Sequence, residues 1–281
     1  MKKHGYYSIG EIAKICKIPS STLRYYDEIG VLKPSYIDSE TGYRYYDREA
    51  LLYVPVLRYY QGWGLKLKDI VALLELDDLT GLKKSYDDKI EEHREQIARL
   101  AQEIDSMVSW RELITETEAV IGEGDFSVSL KNIPVTKMFK IQPTAFPGMR
   151  FENILINNEF CSNVYSYNYV TLGALWVQYP SQESRLREDF NNVTLLIKNH
   201  PFYDNSPDVQ VMESFTAVAC YHQGPHNQVT ATYDKINQWA KLHNFTLRGD
   251  VIERYVIDLW STKNSNWFLT EIFCPLAENK S

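Results

Sequence analysis

Glu253 and Tyr255 stand two residues apart in the stretch DVIERYVIDLW, where the alternation reads as a strand and puts both side chains on one face. The neighbours are largely apolar, so an inward Glu253 would be a partly buried carboxylate, costly unless something pairs with it. A cationic ligand flanked by aromatic faces is one such partner. Acid and base catalysis by a Glu and Tyr pair is a second chemistry open to the same residues. Glu271, in FLTEIF, is a further candidate carboxylate. For each glutamate the competing reading is an outward surface position or a salt bridge, for instance to Arg248 or Arg254.

A different chemistry is suggested near the start of the chain, where an arginine precedes a tyrosine pair twice, at Arg24-Tyr25-Tyr26 and Arg44-Tyr45-Tyr46. Arginine pairs bidentately with a phosphate, and a tyrosine hydroxyl donates to one while its ring packs on sugar. Each tyrosine taken alone is equally readable as a core aromatic. Together, beside turn signals, the two patches favour contact with DNA.

The elements that position these patches are legible. Ser8 followed by Glu11 is a capping box, and Ile9, Ile12, Ala13 and Cys16 form one apolar stripe at helical spacing. Lys17-Ile18-Pro19 breaks that helix. Ser20 or Ser21 is expected to cap a second one, with Leu23 and Ile29 inward and Gly30 at its end. Two short helices around a tight turn make a helix-turn-helix, whose second helix enters the major groove. Ser21, Thr22, Arg24, Tyr25 and Tyr26 then meet DNA. Pro34 and Ser-Glu-Thr-Gly signal a hairpin wing with strands near 35 to 38 and 43 to 46, bringing Tyr43, Arg44 and Tyr45 to the backbone. A second helical pair is expected at about 47 to 61 and 66 to 76, with Lys66 a further phosphate contact.

Charge is compatible with this reading. The net charge is −7, but the first 76 residues carry 11 Lys and Arg against 9 Asp and Glu. A local positive patch attracts phosphates within a Debye length of about 10 Å, whatever the total. No run approaches the roughly 18 apolar residues of a membrane helix, and the start lacks a signal peptide's apolar core, so a cytoplasmic protein is expected. Cys16, Cys161, Cys220 and Cys274 are far apart and form no CxxC or Cys/His cluster. They read as reduced thiols, and neither a metal nor a cofactor is implied.

YYSIGEIAK, TLRYYDEIGVLKP, GYRYYD and LKLKDI, in this order and spacing, resemble the MerR family of bacterial transcription regulators across residues 6 to about 76. The resemblance implies a winged helix-turn-helix, dimers joined through a long helix as an antiparallel coiled coil, and operators in an overlong promoter spacer. It also implies that the protein bends and untwists that spacer so that RNA polymerase engages both promoter elements.

From Leu79 to about Glu118 there is no proline, and Tyr86, Ile90, His93, Ile97, Leu100, Ile104, Met107, Arg111 and Ile114 alternate by four and three. This predicts one helix whose heptad seam is on the order of 40 Å long. A partner copy is the expected occupant of that seam; the competing reading folds the helix back on its own domain. Two heads would read a palindrome, which one small head cannot do tightly.

Past GEGDF the texture changes to strands. VSLKNIPVTKMFKIQ, TLGALWVQY, NVTLLIK, SFTAVACYH, DVIERYVIDLW and NWFLTEIFCPL read as strands, one helix is expected at about 149 to 161, and Val229, Tyr233, Ile236 and Ala240 line another opened by Gly224-Pro225. The division predicted is a DNA-binding head at 1–76, a dimerisation helix at 77–119 and an α+β effector domain at 120–281.

GDVIERYVIDLW followed by WFLTEIFCPL resembles the last strands of GyrI-like effector domains, found on multidrug-sensing MerR regulators. The resemblance implies that the glutamate matching Glu253 and surrounding aromatics bind bulky lipophilic cations, with Tyr255, Trp267, Glu271, Tyr167, Tyr169 and Trp176 as candidate ligand contacts. The expected protein is therefore a dimeric, drug-responsive activator of a gene for export or detoxification, and not an enzyme. Two alternatives remain. GyrI-like domains are also similar to small-molecule hydrolases, which would make Glu253 and Tyr255 an acid and base pair. An architectural DNA binder whose C-terminal domain recruits a protein is the other.

Overall fold

The computed structural model describes residues 5–143, 171–205, 207 and 209–277. The contacts divide the chain into two compact units, Met1–Glu95 and Gln96–Ser281, with the boundary inside one long helix.

In the first unit, α1 (Ile9–Cys16) starts with the expected capping box: Ser8 accepts from the Glu11 amide and Glu11 reaches back to the Ser8 amide. Lys17 ends it in the left-handed region at φ 51°. Helix α2 (Ser20–Glu28) departs from expectation at both ends. Pro19, with extended backbone at ψ 143°, is its N-cap without a side-chain bond, so Ser20 is already helical. Ile29 lies beyond the last turn and is 43% exposed instead of inward. Gly30 takes the positive φ of 75° that a helix-ending turn asks for.

The wing is β2 (Tyr36–Ile37) and β3 (Arg44–Tyr46), joined by β1 (Tyr7–Ser8) in the order β1-β3-β2. Asp47 caps α3 (Arg48–Gly62), and α4 (Leu67–Leu74) completes the head. Ile12, Leu23, Tyr26, Tyr46, Val54, Leu57 and Ile70 form its core.

Helix α5 runs unbroken from Leu79 to Glu123, somewhat past the predicted end. No helix among the described residues is long and apolar enough to cross a membrane.

The second unit is built on an eight-stranded antiparallel sheet: β4 (Ser129–Ile133), β5 (Thr136–Ile141), β6 (Thr171–Tyr179), β7 (Thr194–Asn199), β8 (Val209–Met212), β9 (Phe215–Gln223), β10 (Val251–Ile257) and β11 (Leu269–Pro275). The strand order is β4-β9-β11-β10-β6-β7-β5-β8. Strand β8 and the short α6 (Gln182–Leu186) were not legible in the sequence; the helix expected near 149 to 161 lies outside the described residues. Helix α7 (Thr230–Leu242) buries Tyr233, Ile236 and Ala240, with Val229 just before it, against Val218, Cys220, Tyr255 and Ile272 on one face of the sheet. The opposite face meets the second half of α5 through Leu113, Ala174, Val256 and Leu269.

Candidate functional site

The head presents most of the predicted DNA contacts to solvent. Ser21, Arg24 and Tyr25 on α2 are exposed and Thr22 is half-buried; Tyr43 and Arg44 on the wing are exposed, Tyr45 is half-buried, and Lys66 is exposed at the start of α4. The Arg44 Nε donates to Asp27 Oδ2 at 2.7 Å, tying wing to helix. That hydrogen bond and the charge of Asp27 hold the Arg44 guanidinium above its ordinary pKa.

Tyr26 is a correction. It is 2% exposed, lies in the core beside Leu23, and donates its hydroxyl to Gln61 Oε1 at 3.0 Å, so it offers DNA nothing. The wing repeats the arrangement: Tyr45 tilts against Tyr36 with centroids 6.0 Å apart while Tyr46 is fully buried. Helical spacing puts position 26 under position 23, and strand alternation puts position 46 opposite position 45. In both patches the arginine is exposed and the second tyrosine is core, while the first tyrosine is exposed on α2 and half-buried on the wing.

On α5, the first seam positions are used within the head. Tyr86 shares a hydrogen bond with Tyr60 at 2.8 Å, and His93 Nε2 lies 2.9 Å from the Trp63 carbonyl. A cavity of about 440 Å³ opens between Trp63, Leu65, Tyr86, Lys89, Ile90 and His93. Further along, Ile97, Leu100, Ile104 and Met107 are each more than half exposed.

In the second unit, strand alternation sends Glu253 and Tyr255 to the α7 face, as expected, and both are fully buried. Glu253 is not awaiting a cation. Its Oε1 accepts from Arg185 Nε at 2.8 Å and from the Tyr233 hydroxyl at 2.9 Å, while Oε2 accepts from the Tyr255 hydroxyl. Since Tyr255 gives its proton to Glu253, the 3.0 Å contact between Tyr179 and Tyr255 must be donated by Tyr179. Arg185 is 2% exposed, donates to the His226 carbonyl at 2.6 Å and sits 5.3 Å from the centre of the Tyr179 ring. His226 stacks on Phe268 at 4.9 Å and shares a hydrogen bond with Thr270 at 3.1 Å.

Burial and the nearby Glu253 charge push the Tyr179, Tyr233 and Tyr255 hydroxyls up, so all three remain donors. Burial opposes the Arg185 charge, yet Glu253 and the tyrosines outweigh it and raise that pKa. Burial, then the Arg185 charge, drives His226 down to about 3, leaving its ring neutral.

Glu271 belongs to the other face, which corrects its grouping with Glu253. Register pairs it with Arg254, whose Nε donates to Glu271 Oε2 at 2.9 Å; Lys131 pairs with Glu271 as well. Arg254 also holds Glu116 of α5, its Nη1 lying 3.1 Å from Glu116 Oε2, and Tyr221 donates to Glu116 Oε1 at 2.6 Å. Trp176 lies on this side too, stacked on Phe273 at 5.3 Å with Arg254 5.9 Å from its ring centre. Trp267 is 60% exposed on a short turn and joins neither cluster. Tyr167 and Tyr169 lie outside the described residues. Of the salt-bridge partners suggested for the glutamates, Arg254 pairs with Glu271 and Arg248 with Asp250; Glu253 takes Arg185, which sequence reading did not find. Arg185 sits in the polar run SQESRLRED, where nothing local marks a buried arginine. Among the described residues no group of His, Cys, Asp and Glu gathers as a metal site.

Residues 7–77 match the MerR HTH family regulatory protein model, and residues 193–277 match the GyrI-like small molecule binding domain. The multidrug-efflux transporter 1 regulator of Bacillus subtilis is 33% identical over 98% of this chain and 100% of its own length. The multidrug-efflux transporter 2 regulator of the same organism is 29% identical over 47% of this chain and 52% of its own. Among solved structures, a DNA complex of EcmrR aligns over 97% of this chain and 100% of that one, at 23% identity and a TM-score of 0.45. A head of this design, followed by a GyrI-like domain and a relative one-third identical from end to end, means that the chain belongs to the MerR family of transcription regulators.

Proposed function

We propose that this regulator acts as a homodimer whose two heads bind an inverted repeat in a promoter spacer and distort it so that RNA polymerase engages both promoter elements. A bulky lipophilic molecule binding the second unit around Glu253 favours that distorted arrangement, and the controlled gene serves drug export or detoxification. The names of the two Bacillus relatives support the last point. A cationic ligand, the expectation from sequence, would here share Glu253 with Arg185.

One observation carries the ligand response. On β10, Glu253 points into the tyrosine-lined interior, and the next residue, Arg254, points the other way and is held by Glu116 of α5. A ligand that shifts β10 therefore acts on the helix that continues to the head, and a difference of about 1.4 kcal/mol between two arrangements suffices for a tenfold change in output. A hydrolase reading fits less well, since both Glu253 oxygens already accept hydrogen bonds.

Footprinting of the full-length protein should show two protected half-sites. A panel of lipophilic aryl compounds should include members that raise its melting temperature, worth roughly 2.7 kcal/mol at 100 times Kd. A panel without a single stabiliser would remove the ligand-responsive part of the proposal and leave the recruitment of a protein partner in its place.

A further inference from the structure

The Glu253 site contains, besides a carboxylate and three tyrosines, a cation of its own. Arg185 reaches it from α6, a five-residue helix opened by a reciprocal pair of bonds between Ser181 and Ser184. The guanidinium meets the carboxylate at 2.8 Å, the aromatic face of Tyr179 at 5.3 Å and the His226 carbonyl at 2.6 Å. These are the three kinds of group, anion, ring face and carbonyl, that recognise a lipophilic cation.

We propose that Arg185 is the resident cation of this site and its charge filter: with Glu253 already neutralised from within the chain, the interior accepts uncharged lipophilic molecules in preference to lipophilic cations. A free cation entering beside Glu253 must either displace the guanidinium, leaving it buried without its anion, or lie next to it in a medium that screens like charges poorly. An uncharged molecule of the same shape meets neither penalty. The inference rests on the reading of the second unit as a binder of lipophilic molecules and narrows the chemical class.

Three aryl probes of different charge test it, titrated by calorimetry into the full-length protein: tetraphenylphosphonium and tetraphenylborate, which share one shape, and the smaller uncharged triphenylphosphine oxide. The wild type should bind the oxide about tenfold or more tightly than the phosphonium, the scale of a modest buried charge coupling. Arg185→Leu should reverse that order, because the phosphonium then supplies the missing partner of Glu253. Glu253→Gln, which leaves Arg185 without its anion, should tighten tetraphenylborate by about tenfold and still carries the test if Arg185→Leu does not fold. A purely structural arginine would lower stability without changing the sign of the preferred charge. A wild type that prefers the phosphonium, or the same ranking in the variants as in the wild type, overturns the charge filter while leaving ligand binding intact. Failure of all three probes to bind any folded form overturns the lipophile-binding reading, and the filter with it.

Discussion

Tyr25 and Tyr26 are neighbours in sequence and opposites in environment. Replacing the buried Tyr26 by alanine removes a ring from the core of the head and should cost about 3 kcal/mol or more, visible as an earlier unfolding transition. Tyr25→Ala, at a position 51% exposed, should change stability by less than about 0.5 kcal/mol and weaken operator binding in a gel-shift titration. Equal destabilisation by both would contradict the inside and outside assignment. Asp258, at the end of β10, is 2% exposed and accepts from the Trp260 amide at 2.9 Å. Burial raises its carboxyl from 3.8 to about 6. The folded state therefore binds this proton more tightly than the unfolded chain, and the ionised group costs roughly 3 kcal/mol above pH 6. That cost fades as pH falls through 6 and is gone below 3.8. Asp258→Asn keeps the acceptor and should raise the melting temperature by several degrees at pH 7.5 and by almost nothing near pH 4. A gain of the same size at both values would exclude ionisation as the cause.

At the scale of elements, β6 approaches α5 closely at one point. Gly173 has a φ of +73°, and a Cβ there would lie 3.1 Å from Ser109 Oγ, while Ser106 donates to the Thr171 carbonyl at 2.8 Å. Gly173→Ala combines an unfavourable backbone with that crowding and should cost about 1–3 kcal/mol in chemical denaturation. The same surface carries the bridge from Arg254 to Glu116. Burial alone would raise the Glu116 carboxyl, but the Arg254 guanidinium and the Tyr221 hydroxyl outweigh it and lower the pKa. With Glu116→Gln, Arg254 retains Glu271, so lipophile binding should stay within about threefold of wild type. Ligand-dependent transcription in a purified system should fall sharply. Full induction by this variant would place the coupling elsewhere.

For the whole molecule, the exposed seam of α5 is the surface on which the proposed homodimer would be built. Ile97, Leu100, Ile104 and Met107 follow the four and three spacing of a coiled coil and are 67%, 57%, 57% and 66% exposed in the single chain. Because Leu100 and Ile104 contribute little to the fold of one chain, replacing both by glutamate should leave its stability within about 1 kcal/mol. If a second copy covers them, the double variant should scatter light as a monomer and protect no inverted repeat. A variant that remains dimeric would assign the interface to another surface.

What could be read without coordinates was everything set by neighbours within a few residues. The Ser8 capping box, the two helices of the reading head, the long α5, the stretches that hold seven of the eight strands of the larger sheet and the inward face of α7 all follow from spacing and turn chemistry. The common face of Glu253 and Tyr255 follows from strand alternation alone. Only the tertiary structure decided what those groups meet. Glu253 finds Arg185 at a separation of 68 residues, and Glu271 is turned to the opposite face because it aligns with Arg254. A buried ion pair has no local pattern: either partner looks like an ordinary surface charge until register and packing remove both from water.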